Sequence, residues 1–283
     1  MCTVWAKGVR LLSLRRILRG WQKFRPLPTP RYVSGTPRIG ADQQPNLLLI
    51  PRAETLAAAA TSRQAVSFVI DLIDRLTPSQ EIADQLAYYQ FARAQFGPHF
   101  RDADLTTTLW AAATLIRPTS YLEIGVRRGR SAAVVAAMCP NCAISGFDLW
   151  VPDYGGAPNP GPDFVRNELL AVGHRGNVEL MSGDSSQTVP PFLQQRPDLF
   201  LDLITVDGDH SVLGAATDLA NVLPRLKVGG IIVFDDITAP TLRRAWDHLV
   251  SRDSRYVTWE FAGSGRGVAA AIRVGDKPLL GRA

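Results

Sequence analysis

The chain has 283 residues, 46% hydrophobic and 20% charged, enough for one well-buried α/β domain and an appendage. No apolar run approaches the roughly 18–20 residues that a membrane-spanning helix requires. The net charge of +5 is unevenly spread: residues 1–41 hold nine Lys or Arg and no acid, leaving 22 basic and 26 acidic residues elsewhere. The body is therefore mildly acidic, with no motif or patch that argues for nucleic-acid binding.

In chain order, residues 4–24 place Val4, Leu11, Leu14, Ile17, Leu18, Trp21 and Phe24 on one face of a helical wheel, with Arg15, Arg16, Arg19 and Lys23 opposite. Lys7 and Arg10 interrupt the apolar face, and Gly8 and Gly20 weaken the helix. Residues 1–25 thus read as a peripheral membrane contact, a targeting segment or a plain basic extension. The Pro- and Gly-rich stretch 26–52 reads as a linker, and residues 1–60 are set apart from a domain spanning 61–283. Helices are expected at 63–76, at 78–96 with Thr77 as N-cap and Pro78 in the first turn, and at about 103–116.

From Tyr121 onward, short apolar runs alternate with helical patterns. Strands are expected at 121–124, 143–148, 177–182, 201–206, 230–235, 255–261 and 268–274, and helices near 130–138, 162–172, 211–225 and 240–251. This pattern predicts a mostly parallel sheet with helices on both faces. The last two strands, joined by a Gly-rich turn at 263–267, predict a hairpin and hence one antiparallel strand. Cys139 and Cys142 have C-x-x-C spacing, but they lie between a helix and a strand and read as a turn. Three cysteines give no disulfide framework, which fits a reducing, cytoplasmic setting.

The first strand runs into Glu123, Gly125, Gly129 and Ser131 immediately before a helix. Glycines permit the tight turn and a close ligand, and the helix start offers N–H groups to an anion. A dinucleotide would require G-x-G-x-x-G here, whereas this loop is E-x-G-x-x-x-G. S-adenosylmethionine (SAM) has no pyrophosphate, but its carboxylate and ammonium suit the helix end, the Gly125 carbonyl and Glu123. Asp148, ending the second strand, is placed for ribose hydroxyls, and Asp184 with Ser185, ending the third, for adenine. Either aspartate alone also suits a helix N-cap. Asp207, Asp235 and Asp236 end the fourth and fifth strands, whose tips would lie about 4.8 Å apart if adjacent. Carboxylates so crowded call for a divalent cation such as Mg²⁺, or for solvation as an acidic turn.

The stretches LEIGVRRGRS (122–131), SGDSS (182–186), VDGDHS (206–211) and GGIIVFDD (229–236) together resemble the class I SAM-dependent O-methyltransferases, in particular the macrocin-type sugar O-methyltransferases. The resemblance spans about residues 100–275. It implies a Rossmann-like seven-stranded fold, Mg²⁺ on Asp207, Asp235 and Asp236, and Asp209 as general base with His210 as the competing candidate. Glu123, Gly125, Gly129, Ser131, Asp148, Asp184, Ser185 and Asp207 make up the expected cofactor site, and the Gly- and Pro-rich loop 151–163 is the expected lid over the acceptor pocket. A small-molecule hydroxyl, as on a sugar, glycoside or catechol, is the expected acceptor, and a homo-oligomer is compatible with the sequence. A nicotinamide-dependent oxidoreductase and a non-catalytic, membrane-docked relative are the rival readings.

Overall fold

The structure, a computed structural model, describes residues 50–154, 158–262 and 265–275. The basic segment at 1–25, most of the linker, residues 155–157 of the expected lid and residues 263–264 of the Gly-rich turn lie outside the described residues.

The described chain opens with four helices, α1 (Ala53–Ala60), α2 (Arg63–Ile73), α3 (Gln80–Phe96) and α4 (Leu105–Ile116). There follow β1 (Ser120–Ile124), α5 (Arg130–Met138), β2 (Ala143–Asp148), α6 (Pro162–Ala171), β3 (Val178–Ser182), α7 (Ser185–Gln194) and β4 (Leu201–Val206). The chain continues through α8 (Val212–Val222), β5 (Leu226–Asp235), α9 (Pro240–Trp246), β6 (Tyr256–Phe261) and β7 (Val268–Arg273). One seven-stranded sheet has the order β3-β2-β1-β4-β5-β7-β6. β7 runs antiparallel to both β5 and β6, while the pairs among β1 to β5 are parallel.

Strand alternation sorts the core into two layers. Tyr121, Leu203, Ile231, Val233, Ala270 and Ile272 face a layer that includes α1, α4 and α5. Leu122, Ile124, Ile204, Val206, Ile232, Phe234, Ala269 and Ala271 face α7, α8 and α9. Central strands covered on both sides must be apolar on both, which is why they read as Val, Ile and Leu runs rather than alternating ones. A smaller third cluster, including Val69, Ile73, Tyr89 and Phe100, joins α2 to α3 beside the sheet. No single described helix is long and apolar enough to cross a membrane.

Four details differ from the sequence reading. The alanine-rich α1, expected within the linker region, buries Leu56 and Ala60 completely, so the packed domain begins before residue 61. Helix α7 was not expected at all, because Pro190 and Pro191 fall inside it. Burial of Val189, Phe192 and Leu193 holds it against the sheet despite the missing backbone donors. Ser79, not Thr77, caps α3, accepting the Ile82 N–H at 3.3 Å. β5 also starts earlier than expected, with a register irregularity where Gly230 lies against the Asp202 backbone.

The C-P-N-C segment is a turn, closed by the Cys142 N–H on the Cys139 carbonyl at 2.9 Å. Both thiols are free, and burial pushes that of Cys142 up to about 12, which leaves it unreactive at neutral pH.

Candidate active site

Every residue of the expected site falls at or just beyond the carboxyl ends of β1 to β5, or in the helix start that follows. β1 delivers Glu123 into the layer beneath α5, where it is fully buried. Ser131, in the first turn of α5, donates its hydroxyl to Glu123 Oε1, but Oε2 has no partner. Burial is the main force raising the Glu123 pKa to about 8, with Asp207 and Asp148 adding to it and Ser131 and Tyr121 opposing.

Gly125 then turns the chain at φ +89°, its N–H bonded to the Phe147 carbonyl at 2.8 Å. A Cβ at this position would lie 1.9 Å from the Asp207 carbonyl oxygen, so only glycine lets the loops after β1 and β4 run this close. Gly129, at φ +76°, starts α5 without a side-chain cap, which leaves the first N–H groups of the helix open to an anion. Asp148, at the tip of β2, accepts the Arg127 N–H at 2.7 Å on Oδ2 and the Trp150 N–H at 2.6 Å on Oδ1. The loop therefore holds a carboxylate beside its own backbone.

A cleft opens above this loop, bordered by Gly125, Ser131, Asp207 and Asp235 below and by Leu76, Thr77 and Glu81 above. Two contacts pin its roof. The Thr77 N–H and hydroxyl bond Glu168 of α6 at 2.9 and 2.6 Å, and Glu81 pairs with Arg127 at 2.6 Å.

The tips of β4 and β5 bring Asp207 and Asp236 together at the Nε2 edge of His210. The imidazole Nε2 lies 3.8 Å from Asp207 Oδ1 and 3.4 Å from Asp236 Oδ2. Ligand atoms of these three residues fall within 4.8 Å of one another, a spacing that fits a metal ion. Asp235 lies close enough to interact electrostatically with both aspartates: burial raises its pKa well above the ordinary carboxylate value, and Asp207 and Asp236 add to this. Burial likewise raises that of Asp207, with His210 opposing and Asp236 adding. The Asp207 carboxylate in turn holds the His210 pKa above its usual value, against the pull of burial.

Residues 122–237, from β1 to just beyond Asp236, match a family model described as a methyltransferase domain. The fold is the Rossmann-like methyltransferase fold. An O-methyltransferase from Bacillus cereus in complex with SAH shares its fold, at 16% identity over 74% of this chain and 97% of that one, with a TM-score of 0.50. The O-methyltransferase TomG from Streptomyces achromogenes, in complex with SAM, is 20% identical over 81% and 93%, with a TM-score of 0.49. The calicheamicin methyltransferase CalS11 is 22% identical over 75% and 92%, with a TM-score of 0.48. No curated protein matches the chain by sequence.

Within the matched region, three expected site residues are engaged elsewhere. Asp209 accepts the Ser211 N–H at 2.8 Å and the Ser211 hydroxyl at 2.9 Å, and its carboxylate lies over Gly214 at the start of α8. Its charge organises a helix start, whereas His210 meets the carboxylates. Asp184 is exposed and caps α7 through the Ser186 N–H at 2.8 Å, the alternative its position always allowed. Ser185 donates to Asp218 Oδ1 at 2.6 Å.

Asp218 itself gave no signal in the sequence beyond a polar residue in an apolar helix pattern. It is 1% exposed, burial raises its pKa to about 6, and its Oδ2 would lie 2.7 Å from a Cβ on Gly208. This carboxylate takes the Ser185 hydroxyl at the start of α7 and packs against Gly208 in the turn that carries His210. Arg266 was also missed, although an arginine within a glycine-rich turn was visible. Its guanidinium reaches Asp236 Oδ2 at 3.1 Å.

Proposed function

We propose that the chain is a SAM-dependent O-methyltransferase acting on a small-molecule hydroxyl, with His210 as general base. The buried, partnerless Oε2 of Glu123 carries the cofactor reading. An ionised carboxylate without a partner is costly in such a place, and the ammonium of a methionine moiety would supply the missing partner. Gly125 leaves room beside it, Ser131 and the open start of α5 suit a carboxylate, and Asp148 suits ribose hydroxyls. SAM would bring an electrophilic methyl group on its sulfonium.

The donor set around His210 also fits a divalent cation. Asp207 and Asp236 each bring a carboxylate oxygen within 4.8 Å of the other and of His210, which suits Mg²⁺ or Mn²⁺, whereas Asp235, expected among the ligands, is not part of that close group. Such an ion would lower the pKa of a hydroxyl bound to it. His210 Nε2, at the half-exposed rim of the same group, is placed to take the hydroxyl proton, and Asp207 increases its basicity. Two acceptor oxygens at one ion would favour a vicinal diol, as in a sugar, a glycoside or a catechol.

Calorimetric titration with SAM and with NAD is the direct test. SAM should bind and NAD should not, and the reverse result would return the oxidoreductase reading. Asp148→Ala should weaken SAM binding by about 1.5–3 kcal/mol, the scale of a hydrogen bond to a charged group. Unchanged affinity would mean that the ribose is held elsewhere.

The basic segment suggests a peripheral role at the inner membrane surface. The full chain should float with anionic liposomes and a chain starting at residue 50 should not, with binding lost as salt rises. Equal flotation of the two would rule out residues 1–49 as the anchor.

A further inference from the structure

We propose that Arg266 is an exchangeable counter-cation of the metal group, releasing Asp236 when a divalent ion binds and thereby setting the affinity for that ion. This rests on the metal reading above. Asp236 Oδ2 lies 3.4 Å from the His210 imidazole, closer than Asp207 Oδ1, and the same oxygen takes the Arg266 guanidinium at 3.1 Å. One oxygen thus meets two cationic or potentially cationic groups, at the place where an ion shared with Asp207 would sit.

The two halves of Arg266 have separate duties. Its backbone carbonyl accepts both the Thr238 N–H at 3.0 Å and the Thr238 hydroxyl at 2.7 Å. With the neighbouring bond from the Ile237 N–H to the Gly267 carbonyl, this seats the β6–β7 turn on the loop after β5. The side chain takes no part in that seating. It is 77% exposed and pairs with Asp236, which is only 7% exposed. A long, solvated cation on a buried carboxylate can leave at little cost to the fold, because water replaces its contacts.

Asp236 cannot move in the same way. Its backbone is held at φ +58°, and its carbonyl accepts the Ala239 N–H at 2.9 Å where the chain turns into α9. The anion is fixed and the cation is mobile. A divalent ion on Asp236 would stand beside the guanidinium, and their repulsion favours swinging the arginine out into solvent. Wild-type affinity for the ion is then lower than the aspartates alone would give.

Mn²⁺ titration followed by electron paramagnetic resonance tests this on the full chain without any acceptor. Arg266→Ala and Arg266→Gln should each bind Mn²⁺ about five- to tenfold more tightly than wild type at low salt, the range expected for removing one nearby exposed charge. Arg266→Lys, which keeps the charge, should stay close to wild type. The gain should shrink toward unity in 0.5 M salt, where screening acts over roughly 4 Å. Wild-type Mn²⁺ binding with no gain in Arg266→Ala or Arg266→Gln would overturn the exchange and leave the metal site standing. Absence of Mn²⁺ binding in wild type and variants alike would overturn the metal reading and the exchange with it. Thermal melts of the same proteins separate either result from a failure to fold.

Discussion

Asp236→Asn, or removal of divalent ions with EDTA, should abolish methyl transfer while leaving SAM affinity within a few-fold of wild type. The separation follows from the layout. Glu123, Gly125, Ser131 and Asp148 belong to β1, β2 and the start of α5, whereas Asp235 and Asp236 end β5, beyond β4 in the sheet. Added Mg²⁺ or Mn²⁺ should restore the chelated enzyme but not the variant. His210→Gln should retain Mn²⁺ and slow turnover by about 10²–10⁴-fold, the usual scale for a lost general base. Loss of Mn²⁺ in that variant would make His210 a metal ligand instead of the base. Asp209→Asn should change turnover little, since its carboxylate is committed to Ser211. A collapse of activity in Asp209→Asn with His210→Gln unaffected would restore Asp209 as the base. Turnover indifferent to chelation would remove the ion from the mechanism altogether.

The sheet was legible because its strands are buried on both faces, so that β1, β2, β4 and the second half of β5 stand out as apolar runs ending in acidic or glycine positions. The site was legible for the same reason: in an open parallel sheet, ligands gather where strands end. What the sequence hid was side-chain direction. Asp209 and His210 are neighbours in a turn, and only the Ser211 hydroxyl and the lack of a side chain on Gly214 decide which carboxylate faces the helix and which ring faces Asp207. Asp184 was equally open to capping and to ligand binding, and local backbone geometry favours the cap. Arg266 reaches Asp236 across thirty positions through an antiparallel pairing whose register no local pattern encodes. The helix at Ser185–Gln194 was masked by its prolines, since burial of an apolar face can outweigh a local breaker.

Glu123→Gln should make the ligand-free protein more stable at pH 8 and at the same time weaken SAM binding by about 10- to 100-fold, the equivalent of roughly 1.5–3 kcal/mol for a charge-assisted hydrogen bond. The stability arm follows from proton linkage. Folding raises the Glu123 pKa from 4.5 to about 8, so between these values the folded state holds more protons than the unfolded state. Stability therefore falls as pH rises through that window, and glutamine, which never ionises, removes this contribution. The melting temperature of the variant should match that of wild type near pH 5 and exceed it by pH 8, because a shift of this size corresponds to a few kcal/mol at most. The binding arm has a distinct pH signature. The favourable pair is an ionised Glu123 with a protonated ligand amine, whose own pKa is about 8 as for an α-amino group. Affinity for SAM should accordingly peak near pH 8 and fall on both sides, by up to about tenfold per unit where one partner carries the wrong charge. In Glu123→Gln the acid-side limb should vanish and only the alkaline decline remain. A variant that keeps wild-type SAM affinity and the same acid limb would show that the ammonium is met elsewhere. The unpartnered oxygen of Glu123 would then be a cost of packing under α5, with no part in holding the cofactor.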